Sequence, residues 1–278
     1  MDGWQGFFTQ FLGGSMQGLA KRNVIVTGAG SGIGRAIALR FARSGANVMA
    51  VGRTASKLNE TAEFAKELPG KIAIFPADVT DQDAPRIILE KAIELIGGAD
   101  ALVNNVGRGN ARAAHETTDE SLRASIEVNF VSLFRMSREF ISFKKQLGQG
   151  GSIVNISSIF GLMGHPGSSD YSAMKSAVIG LTRQMASDYG RIGIRVNAVA
   201  PGLIDTPAHT VERREEAKWF YKSLQGATPL QRSGSSDEIG GIVAFLCSDE
   251  ASFLTGQVIA VDGGWSATKF VSESLYGE

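Results

Sequence analysis

Tyr171 and Lys175 stand four residues apart, and Ser158 lies thirteen residues before the tyrosine. Side chains four apart on a helix share a face, so the phenol and the ammonium are neighbours. A free tyrosine ionises near pH ~10 and exchanges protons poorly at neutral pH. A positive charge beside it favours the phenolate, which lowers that pKa and makes the ring usable as a general acid or base. The chemistry these residues point to is general acid/base catalysis.

A second cluster binds rather than reacts. Thr27-Gly28-Ala29-Gly30-Ser31-Gly32-Ile33-Gly34 follows an apolar run and precedes a helical pattern. Residues without Cβ atoms allow a tight turn there and let a pyrophosphate rest on backbone N–H groups at the helix N-terminus. This strand–turn–helix setting makes the run a nucleotide-binding turn. The residue that reads the adenosine ribose ends the next strand, and that place holds Gly52-Arg53 instead of a carboxylate. A guanidinium suits a 2′-phosphate, although position 31 is Ser and the turn has no second cation. NADP(H) is therefore expected over NAD(H).

The elements that must position these groups alternate regularly. Apolar runs at 24–26, 48–51, 72–75, 101–103, 153–156, 194–199 and 258–261 read as strands. Helical patterns lie between them at 33–43, 55–67, 81–96, from Asp119 into the 140s, 169–188 and 239–246. The alternation implies parallel βαβ units. It predicts a single α/β domain with one doubly wound, mostly parallel seven-stranded sheet and helices on both faces. Residues 21–265 form that domain, 1–20 an N-terminal extension and 266–278 a tail.

Composition narrows the class. Hydrophobic residues make up 43% of the 278-residue chain and charged residues 20%, a soluble globular balance. Lys+Arg and Asp+Glu each number 28, so no net charge favours capture of nucleic acid or of an anionic membrane. The single cysteine, Cys247, supports neither an internal disulfide nor a metal cluster, and a reducing cytoplasm is expected. Trp4, Phe7, Phe8, Phe11 and Leu12 have amphipathic-helix spacing. Without a basic n-region this segment is read as a helix packing on its own domain or a neighbouring subunit, or as a mobile arm, rather than a secretory signal or a membrane anchor.

Together these motifs resemble the short-chain dehydrogenase/reductase family over about residues 20–265. Its further marks are Ala77-Asp78-Val79, Asn104-Asn105-Val106-Gly107, Asn129, Pro201-Gly202, Pro229-Leu230-Gln231-Arg232 and Val261-Asp262-Gly263-Gly264. Val106 departs from the family's usual alanine. The resemblance implies a Rossmann-type oxidoreductase that moves a hydride between a nicotinamide and a carbonyl/alcohol pair, in the pattern of 3-oxoacyl carrier-protein reductases. By the same resemblance Tyr171 is the acid/base, Ser158 orients the reacting oxygen, and Lys175 lowers the tyrosine's pKa and binds the nicotinamide ribose. Asn129 holds a water that relays protons from Lys175. Gly28, Gly30, Ser31, Gly32, Ile33 and Gly34 cradle the phosphates; Asp78 and Val79 flank the adenine. Asn105, Val106 and Gly107 line the ribose, and Pro201, Gly202, Ile204 and Thr206 lie along the nicotinamide.

The substrate is left to the loops. Trp219, Phe220, Tyr221 and Leu224 beside Glu212, Arg213, Arg214, Glu215 and Glu216 read as an amphipathic lid, and with Phe160, Leu162 and Met163 they favour an apolar ketone or secondary alcohol. Arg108 and Arg112 offer a place for an acidic substrate or acyl carrier. His165 lies near the site without an evident carboxylate partner. The alternatives are an NAD(H)-dependent sugar, polyol or steroid dehydrogenase, and a catalytically idle nucleotide-binding sensor or scaffold. A homotetramer built through residues 119–147, 169–188 and the last strand is expected, with no metal, nucleic acid or stable membrane insertion.

Overall fold

Short apolar runs rich in valine, isoleucine and alanine form the sheet because both of its faces are covered. The computed structural model describes residues 16–109, 112–206 and 218–269. Strands β1 (Asn23–Thr27), β2 (Asn47–Gly52), β3 (Lys71–Pro76), β4 (Ala101–Asn104), β5 (Gly151–Ile156), β6 (Ile194–Pro201) and β9 (Val258–Val261) make one sheet. Its order is β3-β2-β1-β4-β5-β6-β9, and every pairing is parallel. A second, two-residue pairing joins β7 (Ile204–Asp205) to β8 (Gly234–Ser235).

Alternation along each strand divides the core into two layers. Val24 and Val26 pack with Ile37 and Phe41 of α1 (Gly32–Arg43) and with Ile239 and Val243 of α8 (Ser236–Cys247). Ile25, between them, faces the opposite layer, with Ile88 of α3 (Ala84–Ile96), Met136 and Phe140 of α5 (Ser132–Gln146) and Met185 of α6 (Ser169–Tyr189). The remaining helices are α2 (Ala55–Glu63), α4 (Asp119–Ile126) and α7 (Lys218–Gly226). The expected fold class is the observed one. Strand order reverses between β1 and β4, and a crevice opens there beyond the carboxyl ends, where open α/β sheets bind ligands.

One expected element is built differently. The single helix running from Asp119 into the 140s is α4 and α5 joined by a π-helical turn, Glu127–Val131, with the fully buried Asn129 inside it. The expected helix over 55–67 ends at Glu63 and continues in turns. Trp4 to Leu12 and Glu212 to Glu216 lie outside the described residues. Of the expected lid, α7 is helical and Leu224 is buried.

Candidate active site

The glycine turn joins β1 to α1 and is clamped to the end of β4. Thr27 Oγ1 donates to the Val103 carbonyl (3.2 Å) and accepts from the Asn105 N–H (3.0 Å). Asn105 Nδ2 donates to the carbonyls of Thr27 (3.1 Å) and Gly28 (3.3 Å). Gly28 has φ +68°, and a Cβ on it would stand 2.8 Å from Asn105 Nδ2 and 3.3 Å from Val106 Cγ2. A Cβ on Gly34 would lie 2.1 Å from the Gly28 carbonyl oxygen. Ser31 caps α1 in extended conformation without spending its side chain on the helix, which leaves the first N–H groups for an anion. A bare backbone turn at an uncapped helix N-terminus fits a pyrophosphate.

At the adenosine end, Arg53 follows β2 and its Nη1 lies 3.7 Å from Asp78 Oδ2. Burial pushes the Asp78 carboxyl up, but the Thr80 N–H and hydroxyl, with the Arg53 charge, outweigh it and hold the group below its ordinary value. Lys57 lines the same part of the cleft. It is a second cation that the glycine turn lacks, and it sits in the first turn of α2, the helix that follows Arg53.

The reacting groups meet at the carboxyl ends of β5 and β6. Ser158 follows β5, and its Oγ accepts from the Phe160 N–H (3.2 Å). The Tyr171 hydroxyl faces Ser158, which acts to lower its pKa. Ser157 turns away and donates to the Lys175 carbonyl (2.9 Å), so the thirteen-residue spacing picks the serine that meets the tyrosine. Lys175 Nζ sits 5.6 Å from the Tyr171 ring centroid and donates to the Ile156 carbonyl (2.8 Å). The ammonium is buried, and burial brings its pKa down to about 8.

One expectation is corrected here. Burial raises the Tyr171 pKa, and Ser158, not Lys175, is what pulls against that rise. The lysine's hydrogen bond goes to the Ile156 carbonyl beside the ring. The Asn129 side chain, in turn, is committed to protein partners: Oδ1 accepts from the Arg108 N–H (2.9 Å), and Nδ2 donates to the carbonyls of Arg108 (2.9 Å) and Ser125 (3.0 Å). A Cβ on Gly107 would stand 2.9 Å from Lys175 Nζ and 3.2 Å from Asn129 Oδ1, so these three groups pack together.

All these parts open into one cleft of about 580 Å³, within the range of small-molecule sites. It is lined by Gly28, Gly30, Ser31, Gly32, Ile33, Gly34, Arg53, Asp78, Val79, Asn105, Val106, Gly107, Ser158, Tyr171, Lys175, Pro201, Gly202, Ile204 and Thr206. Asn129 alone of the expected residues does not line the cleft; it is buried beside Gly107. Thr54, Lys57, Thr80, Arg108, Val128 and Ile156 line it too and were not expected there as cofactor contacts. The Arg112 backbone pairs with Gly167 and Ser168. His165 stacks on Phe160 with centroids 4.2 Å apart.

A phosphate-binding turn at the switch point of a parallel sheet, opening onto a serine, a tyrosine and a buried lysine, defines an NAD(P)-dependent oxidoreductase. Comparison with known proteins agrees. Residues 28–266 match a family described as enoyl-(acyl carrier protein) reductase. A 3-oxoacyl-acyl-carrier-protein reductase of Thermotoga maritima is 39% identical over 241 residues, 86% of this chain and 96% of its own. A putative short-chain alcohol dehydrogenase from Sinorhizobium meliloti superposes with a TM-score of 0.85 at 34% identity, over 90% of this chain and 98% of its own. A putative 2-deoxy-D-gluconate 3-dehydrogenase from Agrobacterium tumefaciens, solved with bound NADP, gives 0.82 at 32% identity, over 90% and 98%. The chain belongs to the short-chain dehydrogenase/reductase family.

Proposed function

We propose that the protein transfers a hydride between NADP(H) and a ketone/secondary alcohol pair, with Tyr171 as its acid/base. The observation that carries this reading is that Ser158, Tyr171 and buried Lys175 line the same cleft as the glycine turn, with the lysine ammonium 5.6 Å from the tyrosine ring centroid. Bound nicotinamide supplies or accepts the hydride. In the reducing direction negative charge develops on the carbonyl oxygen, and the Ser158 hydroxyl is placed to donate a hydrogen bond to it. Tyr171 is protonated at neutral pH, as an ordinary tyrosine is, and is the proton donor to that oxygen. Lys175 holds a positive charge behind the ring below about pH 8 and contributes to ribose binding. Asn129 keeps Gly107 and Arg108 against Lys175. The proton relay expected of it would run through a water held by Asn129, whose oxygens can only accept hydrogen bonds.

Arg53, supported by Lys57, takes the 2′-phosphate, and the NADP bound to the Agrobacterium relative supports this choice. Residues 21–265 act as one domain, flanked by the extension and the tail. The protein works as a cytoplasmic homotetramer through α4, α5, α6 and β9, a reading supported by exposed Leu122 and Phe134 on those helices. Light scattering tests the assembly.

The function is tested by NADPH oxidation with a panel of carbonyl compounds. Tyr171→Phe is expected to lower kcat at least about a thousandfold, within the range of lost acid catalysis. NADPH affinity, read by fluorescence, should stay within about threefold. An active Tyr171→Phe enzyme overturns the mechanism.

A further inference from the structure

The loop after β4 brings a positive charge to the reaction end of the cleft. Asn129 Oδ1 accepts from the Arg108 N–H, and Asn129 Nδ2 donates to the Arg108 carbonyl, both at 2.9 Å. One amide reaches both groups of a single residue where that residue is extended, as in a hydrogen-bonded strand pair. The neighbours of an extended residue face the opposite side. Gly107 and Gly109 do so. A Cβ on the first would stand 2.9 Å from Lys175 Nζ, and one on the second 3.6 Å from the Tyr171 ring. Arg108 therefore stands level with Tyr171 and Lys175, and its side chain leaves away from both, on the cleft that it lines.

That charge is uncommitted. Arg108 is exposed, and its guanidinium has no hydrogen bond or ion pair among the described residues. Asp78, the carboxylate among the described lining residues, lies at the adenosine end beside Arg53. Asp170, next to Tyr171 in the chain, is buried and does not line the cleft. Arg112 is outside the lining too, and its backbone is taken by Gly167 and Ser168. A merely solvated arginine needs no fixed backbone, yet this one is held by a fully buried side chain of the π turn. A guanidinium on a fixed backbone beside a reacting oxygen offers its fork to a planar anion, a carboxylate.

We propose that Arg108 selects the substrate by pairing with a carboxylate on the same molecule as the carbonyl, so that the protein interconverts an oxo acid and a hydroxy acid. The inference rests on the carbonyl-reductase reading and adds a substrate class to it. The carbonyl takes a hydride from NADPH at carbon and the Tyr171 proton at oxygen, while the carboxylate makes and breaks no bond. An anion held equally in the ground and transition states acts on KM rather than on kcat.

The test is steady-state kinetics at saturating NADPH with 3-oxobutanoate, 4-oxopentanoate and 5-oxohexanoate, each against its methyl ester. For one chain length or more, the acid is expected to exceed its ester in kcat/KM by at least about tenfold, the worth of a charge-assisted contact. Arg108→Ala should lower that ratio about tenfold, through the KM of the acid. Arg108→Lys, which keeps the charge without the fork, should lower it about threefold. Calorimetric titration of the NADP+ complex with each acid reads the same pairing without turnover. A wild type that prefers none of the acids, or a ratio unmoved in Arg108→Ala, overturns the assignment. NADPH affinity weakened more than about tenfold in that variant, with the ratio unmoved, gives the guanidinium to the cofactor's pyrophosphate and also overturns it. If no acid or ester oxidises NADPH, the carbonyl-reductase reading fails, and the titration decides the pairing alone. The pairing then stands if Arg108→Ala binds an acid about tenfold more weakly, and falls if variant and wild type bind alike.

Discussion

Replacing Lys175 with methionine isolates the cost of burying one ammonium. Lys175 is 2% exposed, and its pKa falls from an ordinary 10.5 to about 8 because burial disfavours the charge. Below the folded value both states bind the proton, and the folded state carries the whole penalty. Between about 8 and 10.5 the unfolded chain keeps a proton that the folded one has released, so stability rises with pH. The lysine's relative stability is thus fully present above 10.5 and is lost as pH falls through about 8. At about 1.4 kcal/mol per pH unit, the full window is worth about 3 kcal/mol, and about 2 is gained by pH ~9.5. The assay is urea unfolding of wild type and Lys175→Met at pH 7 and ~9.5, at one protein concentration without cofactor. The methionine leaves the Ile156 carbonyl without its donor, but that cost is equal at both pH values and drops out of the comparison. Tyr171, whose raised pKa acts in the opposite sense only above its ordinary value of 10, is common to both proteins. The wild type should gain about 2 kcal/mol on Lys175→Met between the two pH values. A constant difference would refute the account of a penalised ammonium.

Other outcomes follow from the same geometry. Arg53→Ala should weaken NADPH binding about ten- to hundredfold, the worth of a charge-assisted phosphate contact, while NADH binding changes less than about threefold; equal losses in titrations of both would refute 2′-phosphate recognition. Gly34→Ala puts a Cβ against the Gly28 carbonyl oxygen, a backbone atom that cannot swing aside. It should cost at least about 2 kcal/mol in urea unfolding and abolish NADPH binding, and a variant that binds normally would show that the turn has room.

Much of this was legible in the chain. Parallel strands buried on both faces must be continuous apolar runs, so Val24-Ile25-Val26 and its counterparts stand out, and the helices fill the intervals. Ser158 was distinguishable from Ser157 by spacing alone, and Arg53 by the strand it ends. The π turn was not legible, because apolar positions three or four apart absorb one extra residue without breaking their rhythm. The sign of the Tyr171 shift was hidden for another reason: sequence places the ammonium beside the ring, but burial of the phenol depends on residues far away in the chain.

The turn at Glu127–Val131 carries one residue more than an α-helix would need. Seen as an edit to the gene, it is a single inserted codon. Removing that codon would heal the helix and swing everything before it by about 100° about the axis. Asn129 would lose Arg108 or Ser125, while Met136 and Phe140 of α5 kept their place against the sheet. A scaffold can therefore gain or lose this corner of its active site in one indel, without any change to the core that folds it.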